Sequence, residues 1–262
     1  MSPTATATTS PATLTARESV RLSRRAALIM SALIMSPITA NLQAVKRRIE
    51  SAACAAGRPP ESVALVAVSK TFASAAVREA AAAGQRDFGE NYVQEGVEKI
   101  HALADLALVW HYIGPIQSNK TRAIAEHFDW VHSIERAKIA ARLSQARDPA
   151  RSDLQVCIQV NVSGEATKSG VAPEEVAPLA TQVSELPRLK LRGLMTVPEP
   201  TPDAQLQRRR FAQLRELRDR LNREGFAMDT LSMGMSADLE AAIAEGATMV
   251  RVGTAIFGER VS

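Results

Sequence analysis

Lys70 stands two residues beyond the unbroken apolar run Val63-Ala-Leu-Val-Ala-Val68. A run apolar on both faces is expected of a strand buried in a parallel sheet. The position just past it is the rim where β/α folds gather their working residues. A half-buried lysine there is disfavoured as an ammonium, and the neutral amine is a nucleophile toward carbonyls. By position alone the better reading is still a solvated lysine at a strand end, because most lysines are exposed.

The end of the chain carries an independent signal. Leu231-Ser-Met-Gly-Met-Ser236 leads into a helical pattern with Asp238 and Glu240 in its first turn, and Arg251-Val-Gly-Thr254 leads into the short segment Ala255-Ile-Phe-Gly258. Ser236 is the expected N-cap of that helix. Backbone N–H groups at helix starts bind phosphate, and β/α barrels often place a phosphate on the loops after their last two strands. Gly234 and Gly253 would let the backbone approach a ligand, and Ser236 and Thr254 would add hydroxyls. Each turn alone reads as ordinary helix-start chemistry; two in consecutive units favour a phosphate cup. An amine nucleophile facing a phosphate cup points to pyridoxal 5′-phosphate (PLP).

The elements that must position these residues alternate regularly. After a first helix at 38–56, strand-like runs fall at 63–68, 86–89, 109–113, 130–133, 154–162, 190–195, 230–233 and 249–253. Helical patterns fall between them, at about 74–83, 91–104, 118–127, 135–147, 173–185, 203–224 and 236–245. Eight β/α units in this length predict a single (β/α)8 barrel with an extra N-terminal helix. An open doubly wound sheet is the alternative, but its Gly-x-Gly-x-x-Gly fingerprint is absent.

Composition narrows the function. The chain has 262 residues, 46% hydrophobic and 4% aromatic, with a net charge of +4. Residues 1–34 hold Arg17, Arg21, Arg24 and Arg25 against Glu18, so +3 of that charge sits in the N-terminal segment and +1 in the rest. A near-neutral body with few aromatics argues against a nucleic-acid groove. Arg208, Arg209 and Arg210 sit in a helical pattern with Phe211, Leu214 and Leu217, as expected of a solvated helix face. Cys54 and Cys157 match no metal or redox spacing, and Cys157 is expected to be a buried free thiol in a reducing cytoplasm. His101, His111, His127 and His132 show no ligand spacing, so no metal site is expected.

Residues 1–13 are mostly Thr, Ala, Ser and Pro, too polar to fold alone. Arg24-Arg25 before the apolar run 26–35 faintly resembles a twin-arginine signal, but the run is too short to span a bilayer and no small-residue cleavage site follows. Met35 opens Met-Ser-Pro-Ile, with Ser36 and Pro37 a good N-cap and first-turn pair. The expectation is a disordered extension over 1–34 (with Met35 an alternative start), a barrel over 35–262, and no export or membrane association.

Seven segments together resemble the pyridoxal phosphate homeostasis protein family, which is related to the N-terminal barrel of alanine racemases (fold-type III). They are Ala67-Val-Ser-Lys-Thr71, Asp87-Phe-Gly-Glu-Asn-Tyr-Val-Gln-Glu95, Trp110-His-Tyr-Ile-Gly-Pro-Ile-Gln-Ser-Asn-Lys120, Lys168-Ser-Gly170, Arg192-Gly-Leu-Met195, Leu231 to Ser236, and Val250 to Gly258. The resemblance runs from about residue 35 to the end. One departure is visible: Phe72-Ala73 stand where the family commonly has Lys-Pro, which would loosen the first loop.

The resemblance implies a Schiff base between PLP and Lys70, phosphate contacts from Ser236, Gly253 and Thr254, and Arg251 facing the pyridine nitrogen. An arginine there stays protonated, leaving the ring a weaker electron sink; from spacing alone Arg251 reads equally as a barrel-interior ion pair. Asn91 is expected near the ring substituents or as a helix cap, Tyr92 in packing, His111 and Asn119 in loops at the mouth, and Lys168 as a loop lysine. Racemases of this type draw a second base, a tyrosine, from an added domain of the partner subunit. Here the chain ends nine residues after Gly253, with Tyr92 and Tyr112 its two tyrosines. The resemblance therefore implies a cytoplasmic, monomeric carrier that holds PLP and delivers it to apo-enzymes. A low-activity stand-alone racemase is the alternative.

Overall fold

A computed structural model describes residues 36–165 and 168–259. The extension expected over 1–34 and the start-site question at Met35 lie outside the described residues. Eight parallel strands close into a barrel in chain order. They are β1 (Ala64–Val68), β2 (Asp87–Glu90), β3 (Val109–Tyr112), β4 (Trp130–Ile134), β5 (Leu154–Gln159), β6 (Leu189–Met195), β7 (Thr230–Ser232) and β8 (Met249–Val252). β1 closes on β8 through the register Ala64↔Met249 to Ala67↔Val252. The (β/α)8 TIM barrel read from the alternation is the fold.

The helices are α1 (Pro37–Ala55), α2 (Ser74–Ala82), α3 (Val93–Ala102), α4 (Thr121–His127), α5 (Ala137–Ala146), α6 (Val176–Ser184), α7 (Ala204–Arg223), α8 (Leu239–Ala244) and α9 (Thr254–Phe257). Among the described residues only the four-residue α9 follows β8, which would leave a gap in the outer ring. The extra N-terminal helix α1 fills it, packing against α2, α8 and α9. Leu42, Val45, Ile49 and Ala53 face inward, an i, i+3, i+4 stripe suited to a one-sided helix. Asn41 Nδ2 donates to Ile256 O at 3.1 Å, and Arg48 Nε donates to Glu240 Oε1 at 2.8 Å, fastening α1 to the last two units.

Boundaries differ from expectation in two informative places. β5 stops at Gln159 rather than at 162, because Asn161 Oδ1 accepts from the backbone N–H groups of Ser163 and Gly164 and turns the chain outward. The helix expected from 236 begins at Leu239, with Asp238 as its N-cap residue. Ser236 is therefore not an N-cap. Asp238 Oδ1 instead takes the Met235 N–H at 2.5 Å, drawing the chain into a turn before the helix.

The barrel interior has its own small core of Trp130, Cys157 and Met195. Arg192 lies over the Trp130 ring at 5.1 Å and pairs with Asp229 and Gln155 at the lower rim. Burial pushes the Cys157 thiol up to about 12, while Cys54 is exposed. A thiolate reagent at neutral pH is therefore expected to label Cys54 alone in the native protein and both cysteines after denaturation. Mass spectrometry of the labelled peptides checks this, and native labelling at Cys157 would contradict a closed, packed barrel.

The arginine run on α7 is not merely solvated. Arg208 pairs with Glu245 at 2.6 Å and Arg210 with Glu199 at 2.7 Å, tying α7 to the C-terminal end of α8 and to the loop before α7. Arg210 and Ser163 together hold the Glu199 carboxyl down to about 2.

Candidate functional site

The C-terminal ends of β1, β2, β7 and β8 surround a cleft of about 400 Å³. Lys70, Asn91, Ser236, Arg251, Gly253 and Thr254 all line it. All six residues singled out in the sequence thus converge, although 184 positions separate Lys70 from Thr254. The rest of the wall is mainly apolar, from Val68, Phe72, Ile113, Val197 and Met235, the usual make-up of a small-molecule site.

Lys70 is held by its loop. Thr71 has φ 69°, a left-handed conformation that costs a β-branched residue about 1–2 kcal/mol. Its N–H donates to Glu95 Oε1 at 2.5 Å. Lys99 Nζ donates to Ser69 O at 2.6 Å, to Glu90 Oε1 at 2.7 Å and to Glu95 Oε1 at 2.6 Å. Ser69 Oγ also donates to Glu90 Oε1 at 2.6 Å. A buried ammonium therefore knots β2, α3 and both neighbours of Lys70 together. Burial raises the Glu90 carboxyl above its ordinary value, against the pull of Lys99 and Ser69. Sequence reasoning missed this clamp. The Glu95–Lys99 spacing on one helix face was its visible trace; the role of Glu90 had none.

The loosening expected from Phe72-Ala73 is not seen. Phe72 packs its ring 5.1 Å from Phe257, joining the Lys70 loop to α9.

Arg251 forms the floor. Nη1 donates to Ser232 Oγ at 2.8 Å and Nη2 to Thr196 O at 2.8 Å. Burial draws its guanidinium down to about 10, so it remains charged at neutral pH. Its backbone N–H donates to Gly234 O at 2.9 Å, joining β8 to the turn after β7. Arg48, also unforeseen, donates from Nη2 to Ser236 O at 3.0 Å and braces that turn from behind.

Gly253 lines the cleft and has a further reason beyond the one expected. A Cβ there would stand 3.1 Å from Val68 O, so glycine permits the close seam between β1 and β8 beside the Lys70 strand. Thr254 opens α9, where the first N–H groups of a helical turn have no helical acceptor. Asn91 Oδ1 is buried without a hydrogen-bond partner, an orphaned polar atom in the cleft wall that a ligand donor would satisfy. Gly114 sets its position: a Cβ there would overlap Asn91 O and stand 2.9 Å from the Asn91 carbonyl carbon.

Three expectations fail. His111 is not a mouth-loop residue; it lies within β3, fully buried, because an inward-facing strand position carries its ring into the barrel. Asn119 lies in the loop after β3, as expected, but is exposed in the 3-10 turn Ser118–Lys120 and fails only to line the cleft. Tyr92 is not a packing residue; its ring is 54% exposed at the start of α3. Lys168 lies in the loop after β5, outside the cleft lining. Tyr112 is outside the cleft lining, packed against Phe128 and donating to Pro115 O at 2.9 Å, and burial pushes its hydroxyl up to about 12.

Comparison with known proteins agrees with this geometry. The profile of the alanine racemase N-terminal domain family matches residues 40–261. A pyridoxal phosphate homeostasis protein of Pseudomonas aeruginosa is 62% identical over 226 residues, covering 86% of this chain and 97% of that protein. This chain belongs to that family. Its Escherichia coli member is 51% identical over 229 residues, covering 86% of this chain and 98% of that one. Among solved structures, PipY of Synechococcus elongatus with PLP bound is 39% identical, with a TM-score of 0.74, covering 84% of this chain and all of that one. Alanine racemase of Corynebacterium glutamicum is 17% identical with a TM-score of 0.64, covering 87% of this chain and 62% of the racemase. That last likeness concerns the fold alone. Among the described residues no group of His, Cys, Asp or Glu is arranged to hold a metal, and no helix is long and apolar enough to cross a membrane.

Proposed function

We propose that this protein binds PLP in the mouth cleft, linked to Lys70, and acts in PLP homeostasis by holding the cofactor and supplying it to apo-enzymes in the cytoplasm. The observation that carries the reading is the convergence of Lys70, the Ser236 turn, the Gly253–Thr254 turn and Arg251 on one cleft. The family's names and the PLP-bound relative support the choice of ligand.

The residues divide the work by chemistry. Lys70 would supply the amine that condenses with the aldehyde carbon, the carbonyl oxygen leaving as water. The hydroxyls of Ser236 and Thr254, with the backbone N–H groups of the two turns, receive the phosphate. Asn91 would answer a polar ring substituent, and Arg251 would hold the ring nitrogen with a donor that cannot give up its proton at neutral pH. PLP when bound supplies an electron-withdrawing ring, and a fixed cation opposite its nitrogen weakens that pull.

A holding role rather than amino-acid catalysis is supported by the side chains around Lys70. Lys70 and Arg251 are the titratable groups of the cleft lining. Moving a proton across both faces of a bound amine needs a second, opposed acid or base. Val197 and Tyr92 stay exposed, at 40% and 54%, with Val197 in the cleft wall itself. An open mouth suits release better than exclusion of water.

Titration of the purified protein with PLP, followed by borohydride and peptide mapping, tests the site. The expected result is a visible band that reduction fixes as an adduct on Lys70. A modified lysine elsewhere, or no visible band, would sink the assignment. Assayed alongside, solvent α-proton exchange of amino acids is expected to match that of free PLP; a Lys70-dependent excess would favour the racemase.

A further inference from the structure

Inside the barrel a chain of hydrogen bonds joins the cleft floor to the opposite rim. Arg251 Nη1 meets Ser232 Oγ at 2.8 Å, and Ser232 Oγ meets His132 Nδ1 at 2.7 Å. His132 Nε2 meets His111 Nδ1 at 2.9 Å, and His111 Nε2 meets Asp87 Oδ1 at 3.1 Å. Ser232, His132 and His111 are fully buried, while Asp87, the first residue of β2, is 34% exposed by its side chain. Trp130 stacks on His111 with ring centroids 5.5 Å apart and holds that ring in plane.

The two ends set the direction of every bond between them. A guanidinium only donates and a carboxylate only accepts. Arg251 therefore gives a hydrogen to Ser232, whose own hydrogen goes to His132 Nδ1. That leaves the His132 proton on Nε2, directed at His111 Nδ1, and the His111 proton on Nε2, directed at Asp87. With neutral rings, each is of one tautomer, assigned from the network. Burial beside His111 and Arg251 also holds His132 far below the ordinary imidazole value. In the reversed direction Ser232 Oγ would take two donors while His111 turned a lone pair toward a carboxylate.

We propose that Asp87, His111, His132 and Ser232 form a one-way relay of positioning residues that holds the Arg251 guanidinium in a single orientation at the cleft floor. Asp87 acts from the far rim by fixing the polarity of the chain. Without its carboxylate the two directions approach each other in energy, and Ser232 loses its bias toward accepting from Arg251 alone. Orientation of metal ligands by partners beyond them is worth about 10–100-fold in affinity, and the lower end of that range sets the scale expected here.

Two readouts test the relay, and only the second rests on the PLP reading. In ligand-free protein, nitrogen-15 spectra of the imidazoles are expected to show His111 and His132 each protonated on Nε2. A proton on His132 Nδ1 would overturn the proposal. In PLP titrations, Asp87→Leu is expected to weaken binding about tenfold and shift the visible band, and Asp87→Asn, whose amide can donate as well as accept and so no longer fixes the polarity, is expected to change both in the same direction. His132→Asn, which keeps an acceptor for Ser232 but ends the relay there, serves if Asp87→Leu does not fold; it is expected to weaken binding similarly. A folded Asp87→Leu or His132→Asn protein with parental affinity and band would also overturn it. Failure of the parent protein to bind PLP counts against the cofactor reading alone, since the tautomers are read without ligand.

Discussion

Lys99→Met is expected to cost about 3–5 kcal/mol of stability, the range for removing one partner of a buried ion pair. The Lys99 side chain is 6% exposed and that of Glu90 is fully buried. Methionine matches the length of the lysine stem but donates nothing, so Ser69 O and the carboxylates of Glu90 and Glu95 all lose a partner. One oxygen of Glu90 is already without a partner. The loss should depend on pH with a definite sign. Burial raises Glu90 above its ordinary value of 4.5 even with Lys99 present, and the variant removes the opposing pull. A group bound to its proton more tightly when folded loses stability as pH rises through the interval above its unfolded value. The deficit of the variant should therefore be larger at pH 8 than at pH 5, as measured by urea unfolding. Lys99→Met with Glu90→Leu should recover much of it, because the orphaned charge is gone. A deficit below about 1 kcal/mol at pH 8 would mean that the clamp is not a buried pair.

The second large effect is expected at Gly193, inside β6. A Cβ there would overlap Thr230 O on β7 and stand 2.7 Å from its carbonyl carbon. The obstacle is the backbone of a paired strand, so β7 must move. Gly193→Ala is expected to cost about 3 kcal/mol or more, at the upper end of overpacking effects. Gly89→Ala should cost less, since its Cβ would meet the side-chain tips of Val66 and Ile113 at 3.0 and 3.2 Å, which can yield. Thermal unfolding of the two variants gives the order. Because β7 carries Ser232 and feeds the Ser236 turn, a folded Gly193→Ala protein should also bind PLP more weakly. Equal losses at the two glycines would contradict the tight β6–β7 seam.

Much of the molecule was legible in one dimension. Strand runs and helical periods translated directly into the barrel because each β/α unit is local: its strand, turn and helix are neighbours in sequence. The rule that such barrels work at their C-terminal rim then selected Lys70, Ser236, Gly253 and Thr254. Cys157 was readable as buried because its run is apolar on both sides.

Other features were illegible for a physical reason. His111 was assigned to a mouth loop, but inward or outward facing on a barrel strand depends on register, and a shift of one residue reverses it; Asn119 does lie in the loop after β3, but that loop carries it outside the cleft lining. Ser236 had the right chemistry for a cap, yet Asp238 takes that position, since the choice depends on how sharply the chain leaves β7.

By itself, the sequence determined the fold class and the placing of Lys70 and the two turns just beyond their strands, because these follow from periodicity and residue type. Only the tertiary structure decided which charges hold them: the Lys99 clamp behind Lys70, Arg48 behind Ser236, and the relay from Asp87 to Arg251. Buried polar groups must find partners wherever the fold brings them, and those partners lie on different strands and helices, where no spacing along the chain records them.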